Sequence, residues 1–340
     1  MSQDEIYMSQ ALLLAKRGKG KVSPNPMVGC VIVYNGKVIG EGCHKEYGGL
    51  HAEPNAVNSV ADKKLISEST VYVTLEPCAH YGKTPPCAML LADLKPKRIV
   101  IANQDPNPLV AGKGVQILED VGIEVVLGVL EEEVAFMNRR FLTYMQKKRP
   151  YVILKWAETQ DGFVARKNFD SKWISNASSR KLVHQLRADE DAIMVGYNTA
   201  LHDNPKLNVR DVEGKDPLRI VIDKRLNLPL DYHFFDKTQK TIVYNKVKNT
   251  IDDNIIYVKL EGDDFIEAVL IDLYKRNKTS LIVEGGSTLL KSFIEKGLWD
   301  EVRVFIGNQK FEEGIVAPHL NVDFKSEEDI DGDKLKTYYA

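Results

Sequence analysis

The chain has 340 residues, about twice the length of a typical single domain, with 44% hydrophobic residues and a formal net charge of −2. Length and apolar content together imply two cores, while the near-neutral balance excludes a general pull toward nucleic acid or anionic membrane and leaves a small molecule as the expected partner. Neither a run of roughly 18 apolar residues nor a basic, apolar leader stands in the sequence, so a cytoplasmic protein with its four cysteines reduced is expected.

In chain order, residues 6–15 carry the spacing of an amphipathic helix that stops near Gly18-Lys19-Gly20, and Ser23-Pro24-Asn25-Pro26 is a stiff loop. Residues 28–34, the Asn35-Gly36 turn and residues 37–40 read as a hairpin, with Cys30 a buried strand residue. A helix over residues 52–60 would put His51 at its start and Glu53 in its first turn, where Pro54 is tolerated. Residues 70–75 read as a strand delivering Glu76-Pro77-Cys78, and residues 87–94 as a helix. Residues 98–102 form a buried strand, residues 114–121 a helical segment and residues 123–127 a last strand. Strands alternating with helices argue for a layered α/β domain.

Within this pattern His51-Ala52-Glu53 and the segment from Pro77-Cys78 to Cys87 gather one imidazole, two thiols and a lone carboxylate. A catalytic zinc takes three protein ligands and keeps a position for water, and His-x-Glu followed by Pro-Cys and a second Cys is the pattern of nucleobase deaminases. His51, Cys78 and Cys87 are therefore the expected ligands of one Zn2+ per chain. Glu53 is the expected proton shuttle, taking a proton from the activated water and passing it to the departing amino group. The rival is a closed structural zinc site, which needs a fourth Cys or His. His44 and His80 are open either to that role or to substrate contact. Asn25, His44, His80, Lys83, Thr84, Asn103 and Asp105 are each ordinary turn residues when taken singly, and together they are the candidate substrate contacts of this half.

Asn25-Pro26-Met27-Val28-Gly29, His51-Ala52-Glu53 and the segment 77–87 resemble the deaminase half of the bifunctional riboflavin-biosynthesis deaminase/reductase family. Eight residues separate Cys78 from Cys87, whereas the similar cytidine and transfer-RNA adenosine deaminases keep about two. The resemblance implies a cytidine-deaminase-like α/β/α layered domain over residues 1–147 and a dihydrofolate-reductase-like α/β domain over residues 148–340. It further implies hydrolytic deamination of 2,5-diamino-6-(5-phosphoribosylamino)pyrimidin-4-one, then NADPH-dependent reduction of the ribosyl chain to ribityl. A homodimer or higher homo-oligomer is expected on the same ground.

Residues 131–146 read as a helix, Lys147-Lys148-Arg149-Pro150 as a charged break, and residues 151–156 as the first strand of the second half. There the resemblance assigns Ser171, Arg187, Leu207, Arg210 and Glu284 to substrate, and Ala157, Trp173, Thr199 and Asp203 to the nicotinamide cofactor. Guanidinium groups at Arg187 and Arg210 suit a sugar phosphate, although a lone Arg is more often a surface ion pair. Strand 280–284, the loop Gly285-Gly286-Ser287-Thr288 and a helix over residues 289–296 suit a cofactor pyrophosphate. The expected cofactor segment is thus Gly286, Ser287, Thr288, Leu289, Leu290, Lys291 and Ser292. Lys224, at the tip of strand 219–223, faces either the 2′-phosphate of NADP or solvent.

Two stretches depart from the family's pattern. Glu158-Thr159-Gln160 stands where a small, Ser-rich run is usual, and Gly307-Asn308-Gln309 where an apolar-proline stretch is expected. A deaminase with a degenerate reductase half therefore stays open. So do a zinc-stabilised binding module and a nucleic-acid base deaminase with an accessory domain, although the chain lacks the basic, aromatic-laced stripe such a reader needs.

Overall fold

A computed structural model describes residues 1–79, 85–107, 111–262 and 264–340, which gather into two units, Met1–Lys148 and Arg149–Ala340. In the first unit the chain runs α1 (Gln3–Ala15), β1 (Gly29–Tyr34), β2 (Lys37–Cys43), α2 (Ala52–Ser59), β3 (Thr70–Leu75), α3 (Cys87–Leu94), β4 (Arg98–Asn103), α4 (Lys113–Asp120), β5 (Glu124–Leu127), α5 (Glu131–Met137) and α6 (Arg139–Lys147). Among the described residues its sheet has the order β2-β1-β3-β4-β5, antiparallel across β2, β1 and β3 and parallel from β3 to β5.

Continuous apolar runs make these strands because both faces are covered. Successive side chains point to opposite faces, so Cys30, Ile32, Val71, Val73, Ile99 and Ile101 join the core under α2, α3 and α4. Val31, Val33, Tyr72, Val100 and Ala102 face the core under α1 and α5.

The helix expected over residues 131–146 is two helices. Asn138 interrupts it at φ −92°, ψ 14° and turns its buried amide onto the Met27 backbone, accepting from Met27 N and donating to Met27 O, both at 2.9 Å. A side chain that satisfies a distant peptide group in this way competes with continuation of the helix.

The second unit contains β6 (Tyr151–Glu158), β7 (Phe163–Ala165), α7 (Ala177–Asp189), β8 (Ala192–Val195), α8 (Tyr197–Asp203), β9 (Leu218–Ile222), β10 (Thr241–Asn245), β11 (Thr250–Asp252), β12 (Ile255–Lys259), α9 (Phe265–Lys275), β13 (Ser280–Val283), α10 (Ser287–Glu295), β14 (Glu301–Ile306), β15 (Ile315–Val316), β16 (Ser326–Ile330) and β17 (Asp333–Tyr339). Among the described residues, ten strands pair as β11-β12-β10-β9-β8-β13-β6-β14-β17-β16, parallel from β12 to β14 with antiparallel edges. Helices α9 and α10 cover one face, while α7 and α8 pack against the other. The functional cavity opens at the carboxyl ends of the central parallel strands, as is general for such sheets.

The cofactor turn also differs from expectation. Helix α10 begins two residues earlier, at Ser287, with Gly286 as its N-cap, so Ser287 and Thr288 form the first helical turn.

Candidate active sites

His51 caps α2 and Glu53 lies in its first turn. Cys78 follows β3, and Cys87 opens α3. Their ligand atoms lie within 4.8 Å of one another: His51 Nδ1 is 3.6 Å from Cys78 Sγ and 3.4 Å from Cys87 Sγ. Zinc bonds of about 2.3 Å to sulfur and 2.0 Å to nitrogen at a tetrahedral angle give an N···S edge of about 3.5 Å, so this donor set fits the ion. The Cys87 backbone N–H donates to Cys78 Sγ at 3.3 Å. That thiol's pKa is held down by Cys87 and His51, while its hydrogen bond to Cys78 and burial push Cys87 up.

Glu53 is 3% exposed, and burial together with the Cys78 charge pushes its pKa up to about 7 before any metal charge is added. Among the described residues, the groups that could close the coordination are engaged elsewhere. Cys30 and Cys43 belong to the cores on opposite faces of the sheet. His44 donates from Nδ1 to Leu50 O at 3.0 Å and accepts at Nε2 from Asn25 at 3.1 Å, which corrects the idea of His44 as a fourth ligand. Burial lowers its pKa, in keeping with a neutral ring.

A cavity of about 320 Å³ opens beside this cluster, and Asn25, His44, Tyr47, Asp105 and Phe141 line it. Asn103 does not, because its amide turns to Glu131 O at 3.1 Å. His80, Lys83 and Thr84 lie outside the described residues. Glu76, assigned no role in the sequence, is a buried carboxylate accepting backbone N–H groups from Asp105, Gly112, Gly114 and Val115 at 2.9–3.2 Å, which fixes the cavity wall to the start of α4.

The second unit has a cavity of about 850 Å³. Ala157, Ser171, Trp173, Arg187, Thr199, Asp203, Leu207, Arg210, Lys224 and Glu284 all line it, as do Gly286, Ser287, Thr288, Leu289, Leu290 and Ser292. Lys291 does not. It is solvent-exposed on α10. Leu290 and Leu207 carry their side chains into the core, so main chain is what each offers a ligand. Leu207 sits at φ 56°, and the buried Arg219 steadies the segment by donating to Lys206 O at 3.3 Å.

Arg187 and Glu284, expected as separate contacts, bind each other through Nε and Nη2 at 2.9 and 2.7 Å, and Arg187 Nη1 donates to Asn208 O. Arg210 is half exposed, with Asp211 at 3.8 Å. Ser171 Oγ donates to Asp203 at 3.3 Å, while Lys224 lies 5.0 Å over the Phe265 ring. The two departures from the family's pattern meet each other: Gly307 N donates to Glu158 O and Gln160 N to Gln309 O, while the Gln309 amide donates to the carbonyl of Trp173.

Sequence reasoning missed Lys155 and His184. Lys155 projects from β6 into the cavity, where burial lowers its pKa against the pull of Glu284. A lone cation inside the apolar run Tyr151-Val152-Ile153-Leu154-Lys155-Trp156 was the signal that could have found it.

The RibD C-terminal domain family matches residues 150–308, and the cytidine and deoxycytidylate deaminase zinc-binding region matches residues 1–103. The riboflavin biosynthesis protein RibD of Actinobacillus pleuropneumoniae is 43% identical over 89% of this chain and 83% of its own. The chain belongs to the RibD family. RibD of Aquifex aeolicus is 41% identical over 94% of this chain and 91% of its own. A diaminohydroxyphosphoribosylaminopyrimidine deaminase/5-amino-6-(5-phosphoribosylamino)uracil reductase from Thermotoga maritima superposes with a TM-score of 0.90 at 37% identity, covering 98% of each chain. Acinetobacter baumannii RibD superposes at 0.89 with 36% identity over 99% of this chain and 98% of its own.

The protein is accordingly a bifunctional enzyme of riboflavin biosynthesis. It is a zinc-dependent deaminase of the diaminopyrimidine and an NADPH-dependent reductase of the ribosyl chain. Matches spanning both halves disfavour a nucleic-acid base deaminase or a degenerate second half. Among the described residues, no helix is long and apolar enough to cross a membrane.

Proposed function

We propose that RibD deamination in this chain is housed in residues 1–147 and reduction in residues 148–340, with His51, Cys78 and Cys87 as zinc ligands and Glu53 as the proton carrier. When bound, zinc supplies a water activated at neutral pH. Glu53, a buried carboxyl beside the ligand set, holds the proton and hands it to the leaving nitrogen. The Asn25–His44 pair orients the ring edge from the cavity wall.

In the second unit NADPH supplies hydride. The starts of α8 and α10, with Gly196 N donating to Gly285 O at 2.9 Å, offer backbone donors to its pyrophosphate. Arg210 takes the substrate phosphate, and Arg187, fixed by Glu284 and Asn208 O, adds its positive charge to that end of the cavity. Lys155, held beside Glu284, hands a proton to the opening ribosyl group. We further infer a homodimer or higher homo-oligomer, testable by sedimentation, in a reducing cytoplasm suited to four free cysteines.

The observation that carries the deaminase assignment is the three ligand atoms within 4.8 Å of one another, with both N···S edges of tetrahedral length, beside a buried carboxyl. Glu53→Gln should keep one zinc per chain and lower ammonia release by at least about a hundredfold, the lower part of general acid–base effects. If Glu53→Gln loses zinc as fully as Cys78→Ser does, Glu53 is a ligand and the shuttle role is wrong.

A further inference from the structure

Helix α7 turns Arg180, His184 and Arg187 toward one end of the large cavity, spaced by four and three residues so that they share a face. The outer two are engaged. Arg180 donates to Ser175 O at 2.7 Å and lies 4.9 Å over the Trp173 ring, while Arg187 grips Glu284. Between them, His184 is 2% exposed. Its Nε2 stands 3.2 Å from Asp211 Oδ2, and a carboxylate can only accept, so that nitrogen carries the proton. Its Nδ1 is then a bare lone pair, buried with no hydrogen-bond partner among the described residues, on a residue that lines the cavity. A buried acceptor left unpaired is costly unless a ligand completes it.

We propose that His184 is a further substrate-binding residue of the reductase, whose Nδ1 gains a proton with the substrate and hydrogen-bonds its phosphate while Asp211 holds the ring. This rests on the reading of Arg187 and Arg210 as the phosphate end. A phosphate monoester is largely a dianion above its second pKa of about 6, and a dianion facing a bare lone pair is repelled. One proton taken up on binding turns that repulsion into an N–H···O bond, and no covalent bond changes.

The charged groups facing the ring are Arg187 and Arg210, which oppose the proton, and Asp211 and Glu284, which favour it. With burial the largest influence, the ring in the free enzyme is neutral at pH 7. The proton therefore arrives with the phosphate.

Two variants of the full chain separate this role from simple packing. His184→Gln keeps an amide N–H that reaches Asp211 but leaves nothing at Nδ1, whereas His184→Asn places an amide at Nδ1 and gives up Asp211. Reductase kinetics with 5-amino-6-(5-phosphoribosylamino)uracil, followed by NADPH absorbance, should show log KM of the unaltered enzyme rising by about one unit per pH unit above about pH 6.5. Loss of a charged hydrogen bond predicts KM of His184→Gln raised about ten- to a hundredfold at pH 6.5, with kcat and NADPH affinity nearly unchanged. His184→Asn should recover most of that loss with a pH-independent KM, which assigns the slope to His184 rather than to Lys155.

A flat KM profile in the unaltered enzyme overturns the proposal. So does a His184→Gln enzyme milder than His184→Asn, since a packing role would favour the variant that keeps Asp211. Arg210→Ala separates the two levels of inference: if it leaves KM unchanged, the phosphate end itself is misplaced. If it raises KM while the His184 variants do not, only the role of His184 fails.

Discussion

Glu284 stands at the end of β13 between Arg187 and Lys155. Burial alone would raise its pKa, yet the two cations hold it down from 4.5 to about 2. A carboxylate with a depressed folded-state pKa stabilises the fold above its unfolded pKa, and that contribution is lost as pH falls toward the folded value. The shift corresponds to on the order of 3 kcal/mol, disappearing between about pH 4.5 and pH 2. Thermal unfolding of the unaltered protein and of Glu284→Gln should therefore converge as pH falls through that window. A gap that stays constant would show that Glu284 is not held as an anion by its partners. The same cluster shows what a sequence hides. Arg187 and Glu284 are both expected at the site from the sequence and both line the cavity, but their pairing joins positions 97 apart, which no local pattern encodes. His184 looked like an ordinary helix residue because its meaning lies in an atom that the fold leaves unpaired.

Among the elements, the α10 start turns sequence into chemistry most directly. Gly285 adopts φ 134°, which favours glycine, and a Cβ on Gly286 would come within 2.9 Å of Thr199 Oγ1. Gly286→Val should therefore weaken NADPH binding by at least about tenfold, the cost of one lost charge-assisted contact, while ammonia release is unaffected. Fluorescence titration with NADPH checks this, and unchanged affinity would remove the turn from the pyrophosphate seat. Periodicity made most strands and helices legible because their burial repeats every two residues or every three to four. It failed at residues 131–146, where helical spacing continues across Asn138 but the amide is committed to Met27, 111 residues earlier. The metal cluster was legible for the opposite reason, since zinc chemistry restricts the ligand types so sharply that composition and spacing suffice.

At the scale of the molecule, the two units differ in how their sheets are wired. The first unit's strand order nearly follows the sequence, and both cores flanking its sheet are built from residues within Met1–Lys148. A fragment of residues 1–147 should therefore fold and release ammonia unaided, as seen by circular dichroism and a deamination assay. Insolubility or inactivity beside an active full chain would refute that division of labour. The second unit is wired otherwise. Strand β6 opens it, yet both its neighbours come from far downstream: Tyr151 pairs with Ser280, and Ile153 with Glu301. During synthesis at about 5–20 residues per second, β6 would wait roughly 6–25 seconds for its first partner, longer than many domains need to fold. For that interval a strand that opens with the apolar run Tyr151-Val152-Ile153-Leu154 stands without either ladder, while the first unit can already be finished. The sheet order thus sets a period of exposure on the ribosome, during which a chaperone or a neighbouring nascent chain competes with β13 for the edge of β6.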